Sequence, residues 1–222
     1  MINLKKNINI RNKYKFFFFD LDGVLINSLK NMEYAWNKTA IKHKLKPGFS
    51  QYKKHMGLPF YKILENLGID PKKFSKIKKT YEKESISNLG RIKLYKGVIQ
   101  IINSIKNKDG KVAVVTSKNS ARTRKIIKLK NLKLDFVSTP NNRLKGKPYP
   151  DQLLYAIKKL GIKNKDSCVF VGDTINDFLT SLNSNVDFVY VKYGYGSISS
   201  EKIKKIKVYS ISKIMDLKYL IS

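Results

Sequence analysis

Four consecutive phenylalanines, Phe16–Phe19, run straight into Asp20-Leu21-Asp22-Gly23. The apolar run is far shorter than the roughly 20 residues a membrane span needs. It suits a strand buried on both faces, as at the centre of a parallel sheet. The run stops at a carboxylate, skips one residue, and then offers a second carboxylate and a glycine. In open α/β sheets, ligands gather beyond the carboxyl ends of the strands. Asp20 is therefore expected at that edge, pointing into a site at a solvent-facing strand end. Gly23 lets the chain turn at once. An ordinary Asp-Gly turn would look the same in isolation, so the rest of the chain has to decide.

Beyond this turn the pattern becomes helical. Leu29, Met32, Trp36, Ala40 and His43 recur at helical spacing, which predicts an amphipathic helix over 28–44. Trp36 is expected to pack inside and His43 to lie at the solvent end. Pro47-Gly48 breaks the pattern. Pro59 is expected to open a helix over 60–67, closed by Gly68. Asp70-Pro71 is a start signal for another, running to about residue 88. Residues 28–95 thus form a helical block set between the first strand and everything else.

Alternation then begins. Helices are expected over 97–107, 120–130, 150–160 and 175–182, buried strands over 111–116 and 167–172, a short strand over 135–138 and a fifth strand over 187–191. A weaker strand near Val208 and a helix from Ser212 finish the chain. Strands alternating with helices mean an α/β fold with a doubly wound parallel sheet.

The chain carries 46 Lys and Arg against 16 Asp and Glu, formally +30 over 222 residues. Such a charge raises nucleic acid or an anionic membrane as partners. Its distribution argues against both. Residues 27–95 hold 16 basic and 5 acidic side chains, a net +11 over 69 residues, close to the density of the whole. The charge is spread rather than gathered into a stripe, so no specific nucleic-acid or membrane partner is expected. A single cysteine, Cys168, excludes an internal disulfide and fits a reducing compartment. Residues 1–15 are basic and polar without an apolar stretch, so no secretory signal is expected and the location is read as cytoplasmic. The oligomeric state is left open.

Acids are scarce, yet four of the 11 aspartates sit in two short segments that follow strands: Asp20 and Asp22, then Asp173 and Asp177 in Gly172-Asp173-Thr174-Ile175-Asn176-Asp177. Thr116-Ser117 ends another strand, and Gly146-Lys147-Pro148 precedes a helix. Each alone is a turn, a cap or one lysine among many. Together, in this order, they resemble the haloacid dehalogenase superfamily of phosphohydrolases, whose four motifs they match across most of the chain. The helical block sits where that family inserts a cap. The resemblance therefore implies a Rossmann-like core domain, residues 1–27 and 96–222, and a helical cap domain, residues 28–95. The Asp22-Gly-Val-Leu-Ile-Asn27-Ser run, Gly57-Leu-Pro59 and Tyr193-Gly-Tyr-Gly196 point to the subgroup of phosphoglycolate phosphatase and β-phosphoglucomutase. Asn27 stands where relatives commonly carry aspartate, a change expected to be tolerated in a hinge.

The resemblance implies roles as well. Asp20 would be the nucleophile and Asp22 the general acid and base. Asp20, the Asp22 backbone carbonyl and Asp173 would hold Mg²⁺, with Asp177 acting through water or by holding Lys147. Thr116, Ser117 and Lys147 would bind the phosphoryl oxygens. An acid at position 22 favours phosphoryl chemistry over dehalogenation. A cap of this size implies a small phosphorylated substrate. The expected activity is a Mg²⁺-dependent phosphoric monoester hydrolase; the alternatives are a phosphosugar mutase and a non-catalytic basic binding module.

Overall fold

The computed structural model describes residues 2–3, 13–141, 143–196, 198 and 208–222. Its strands are β1 (Ile2–Asn3), β2 (Phe16–Phe19), β3 (Ile26–Asn27), β4 (Lys93–Leu94), β5 (Lys111–Val115), β6 (Phe136–Ser138), β7 (Cys168–Gly172), β8 (Asp187–Val191) and β9 (Tyr209–Ile211). Its helices are α1 (Leu29–His43), α2 (Phe49–Lys53), α3 (Phe60–Asn66), α4 (Phe74–Ser87), α5 (Val98–Lys106), α6 (Ser120–Leu129), α7 (Asp151–Lys159) and α8 (Ile175–Ser184).

The main sheet is parallel, in the order β1-β9-β8-β7-β2-β5-β6. The phenylalanine strand lies at its centre. Phe16 pairs with Lys111 on one side and Cys168 on the other, and Phe19 with Val114 and Val171. Successive side chains of a strand point to opposite faces. Phe17 and Phe19 accordingly join the apolar layer with Ile101, Ile105 and Leu217, and Phe18 joins the opposite layer with Leu153, Phe170 and Phe178. All three are almost wholly buried. Each contributes roughly 1.5–3 kcal/mol by leaving water, which is why four phenylalanines in a row suit this strand.

The chain leaves the sheet after β2, builds α1 to α4, and returns. This inserted helical block has an apolar centre of its own, formed by Ala35, Trp36, Tyr52, Ile63, Leu64, Ile69, Ile77 and Tyr81. Trp36 is fully buried and its Nε1 donates to the Pro47 carbonyl at 3.0 Å. His43 is half-buried against the Thr80 hydroxyl at 2.7 Å rather than free at the solvent end. The two crossings between sheet and cap run side by side as the antiparallel pair β3–β4, with Asn27 opposite Lys93.

Several elements differ from the sequence expectation. The short α2 and the β3–β4 pair were not foreseen, because five residues and two residues carry no usable periodicity. Pro71–Lys73 is a 3-10 turn, and α4 begins only at Phe74. Asp70 does accept from the Lys72 amide at 2.9 Å. The final helix is a 3-10 helix, Ile214–Leu220. The basic lead, read only as polar, adds β1 beside β9, where Ile2 pairs with Tyr209. No helix among the described residues is long and apolar enough to cross a membrane.

Candidate active site

Asp20 follows β2, Thr116 follows β5 and Asp173 follows β7. These three strands are neighbours and parallel, so their carboxyl ends present the three side chains together. The Asp20 amide continues the ladder by donating to the Val171 carbonyl at 2.9 Å. Gly23 holds φ +87, and a Cβ there would lie 2.3 Å from an Asp173 oxygen. Only glycine combines that backbone conformation with that approach. The turn that looked ordinary in the sequence is thus pressed against the other carboxylate.

Asp20 is not at a solvent-facing edge: it is 6% exposed. Lys147, 2% exposed, donates to Asp20 Oδ1 at 2.7 Å and to Asp177 Oδ1 at 2.6 Å. The peptide bond from Lys147 to Pro148 is cis. Asp177 is otherwise taken up by its own helix end. Its Oδ2 accepts from the Thr174 amide at 3.0 Å, the Thr174 hydroxyl at 2.6 Å and the Asp173 amide at 3.3 Å. Asp177 Oδ1 thus holds Lys147, while the carboxylate also lies beside those of Asp20 and Asp173.

Asp173 is fully buried. Its Oδ2 accepts from the Tyr195 amide at 2.6 Å and the Gly196 amide at 3.2 Å, and its Oδ1 has no hydrogen-bond partner. Gly194 permits this approach, since a Cβ there would meet the Asp173 Cβ at 2.2 Å. Asp20, Asp173 and Asp177 each bring one carboxylate oxygen within 4.8 Å of the others. Hard oxygen donors, one of them buried and unpartnered, fit a small divalent cation such as Mg²⁺. Burial pushes the Asp20 carboxyl up to about 7, against the pull of Lys147 and with the help of Asp177 and Asp22. Burial, then Asp177 and Asp20, raise Asp173 well above the usual carboxylate range. Burial opposes the charge of Lys147, but Asp177 and Asp20 outweigh it and raise that ammonium further.

Asp22 stands apart from the three clustered carboxylates. It accepts a hydrogen bond from the Ser28 hydroxyl and pairs with Lys118 Nζ at 3.1 Å. Thr116 is buried, and its hydroxyl accepts from the Lys118 amide at 3.2 Å. Ser117 reaches the other way: its hydroxyl donates to the Gly57 carbonyl on the cap side at 3.0 Å. A cavity of about 310 Å³ opens between the two layers, lined by Asp20, Asp22, Thr116, Ser117 and Asp173 from the core and by residues of the cap.

The sequence profile of the haloacid dehalogenase-like hydrolases matches residues 17–191. The chain belongs to that family. It is 28% identical over 179 residues to pyrophosphatase PpaX of Halalkalibacterium halodurans, an alignment covering 79% of this chain and 82% of that one. It is 26% identical over 203 residues to a phosphoglycolate phosphatase of Aquifex aeolicus, covering 90% and 92%. A haloacid dehalogenase-like hydrolase of Streptococcus pneumoniae has the same fold, with a TM-score of 0.78 at 15% identity, covering 93% of this chain and 98% of that one.

Within this haloacid dehalogenase-like hydrolase, sequence reading missed five contributors. Tyr195 and Gly196 lie in a segment singled out only as a subgroup marker, yet their amides seat Asp173. Ser28 and Lys118 flank Asp22. Lys118 lies two residues beyond Thr116, but in a chain with 46 cations no lysine stands out. Arg122, on α6, also lines the cavity and was not foreseen.

Proposed function

We propose that this chain is a phosphoric monoester hydrolase acting on a small phosphate ester through a phosphoryl group carried on Asp20. The observation that carries the reading is Lys147, buried between Asp20 and Asp177, beside an Asp173 oxygen that has no partner. Asp20 and Asp173 are the side chains that would hold Mg²⁺, together with the Asp22 carbonyl; Asp177 holds Lys147 in place. When bound, Mg²⁺ supplies positive charge that offsets the repulsion between a phosphate dianion and a carboxylate.

The residues of the chain then divide the work. An Asp20 oxygen attacks phosphorus in line, forming the Asp20–phosphorus bond as the ester bond breaks. Lys147 and the Thr116 hydroxyl hold the phosphoryl oxygens where charge accumulates. Asp22, steadied by Ser28 and Lys118, gives its proton to the departing alkoxide. Asp22 then takes a proton from water, which attacks the same phosphorus, releases inorganic phosphate and frees Asp20. Residues 28–95 act as a cap domain on the core of residues 1–27 and 96–222, opening at β3 and β4 to admit substrate and closing to keep bulk water out. The family profile and the named relatives support phosphatase chemistry.

The test is phosphate release from a panel of small esters with Mg²⁺, using wild-type protein and Asp20→Asn. Release by wild type and its loss in the variant are the expected outcome. A variant that keeps near-wild-type release rejects Asp20 as nucleophile. Supplying β-glucose 1-phosphate with a trace of the 1,6-bisphosphate separates the mutase: isomer formation without phosphate release would replace hydrolysis by transfer.

A further inference from the structure

Three cationic side chains are buried among the described residues: Lys118, Arg122 and Lys147. Two of them have counter-ions. Lys147 bridges Asp20 and Asp177, and Lys118 pairs with Asp22. Arg122, 6% exposed, has no carboxylate within ion-pairing distance among the described residues, and its Nε is enclosed without a hydrogen-bond partner. A guanidinium stays protonated at any working pH, so Arg122 cannot shed its charge as a lysine can. An unpaired buried ion is among the most unfavourable features a fold can carry.

The surroundings of Arg122 compensate only in part. Its guanidinium carbon lies 5.1 Å from the centre of the Tyr81 ring, a cation–π contact. Tyr81 shares its hydroxyl with Tyr52 at 3.1 Å, deep in the cap. Asn119 already accepts from the Ala121 and Arg122 amides, so the start of α6 is capped. The positive end of that helix adds to the local field rather than cancelling it. Glu82 lines the same cavity, but it is opposite Lys78 at 4.0 Å on α4. Among the described residues Arg122 is therefore the buried cation of this cavity that no carboxylate pairs, and Asp20 lines the same space.

We propose that Arg122 binds a second anionic group at the non-reacting end of the substrate. The favoured phosphate ester then carries a carboxylate or another phosphate within a few bonds of the transferred group. The planar fork of a guanidinium meets either group with two parallel hydrogen bonds. Arg122 comes from the core rather than the cap, so the site reads both ends of its substrate largely from one rigid layer. This rests on the reading that Asp20 accepts a phosphoryl group.

The experiment compares three probes with Mg²⁺ present: phosphoglycolate, pyrophosphate and 2-hydroxyethyl phosphate, a neutral counterpart of the first. Wild type, Arg122→Gln and Arg122→Lys are assayed for kcat/KM. Each probe is also titrated into Asp20→Asn and the Asp20→Asn, Arg122→Gln double variant. Wild type is expected to prefer one anionic probe over the neutral ester by roughly tenfold or more, and Arg122→Gln to erase most of that preference. Arg122→Lys, which keeps the charge and loses the fork, should retain part of it. Preference for phosphoglycolate assigns a carboxylate; preference for pyrophosphate assigns a phosphate. Tight binding of an anionic probe to Asp20→Asn that is lost in the double variant supports the proposal even if wild type releases no phosphate, a result that would reject hydrolysis alone. Equal kcat/KM of wild type for the three probes, together with equal binding of the three to Asp20→Asn, overturns the proposal. So does an Arg122→Gln loss equal for all three.

Discussion

The two walls of the cavity are built on different terms. On the core wall each carboxylate is fixed by named partners: Asp20 by Lys147, Asp173 by two amides, Asp177 by Lys147 and the start of α8, Asp22 by Ser28 and Lys118. The cap wall is mostly apolar and aromatic, with Met32, Tyr52, Met56, Leu58, Phe60 and Tyr81, side chains that shape space; its charged members, Lys78 and Glu82, face each other at 4.0 Å. A buried polar group is costly without a directional partner, whereas apolar and aromatic groups need only contact. A wall of the first kind handles any phosphoryl group in one way. A wall of the second kind can vary its shape while the chemistry stays where it is. Ser117 joins them, anchored in the core and donating to Gly57.

Breaking the core wall should have the largest effect. Asp20→Asn is isosteric and should lower phosphate release by at least about 10³-fold, while far-ultraviolet circular dichroism stays at the wild-type shape. Loss of the folded spectrum would mean the carboxylate holds structure as well as chemistry.

Breaking the cap wall should cost stability first. Trp36 does not line the cavity but backs Tyr52, which does: it is fully buried, and the two rings lie 4.6 Å apart at an angle of 33°. Trp36→Ala should destabilise by about 3–5 kcal/mol, read as a lower urea midpoint. If activity of the surviving folded protein falls as far as in Asp20→Asn, the division of labour between the walls is wrong.

The metal sharpens the comparison. EDTA should remove activity and Mg²⁺ restore it. Mg²⁺ at a hundred times its dissociation constant should stabilise the wild type by about 2.7 kcal/mol, visible as a higher thermal midpoint. That shift should vanish in Asp173→Asn and persist in Trp36→Ala. A shift unchanged by Asp173→Asn would place the cation elsewhere.

The smallest effect is expected from the surface. With a formal charge of +30 spread along the chain, duplex DNA should bind weakly and fade steeply as salt rises. A complex that selects a sequence at physiological salt would show that the charge is organised after all.

The sequence by itself determined the central strands of the sheet, the longer inserted helices and the strand ends that carry the candidate site residues. Phe16–Phe19, the valine-rich strands over 111–115 and 168–172, and the turn residues after them report burial and direction locally, and strand-end carboxylates are few enough here to be seen. Only the tertiary structure decided which groups hold one another. That Tyr195 and Gly196 seat Asp173, that Lys118 faces Asp22, and that Arg122 lies buried without an anion depends on contacts between segments far apart in the chain. In a sequence where every stretch is rich in lysine, a buried cation has the same letters as an exposed one. The difference is the water it has lost, and only the packing of the other elements around it sets that.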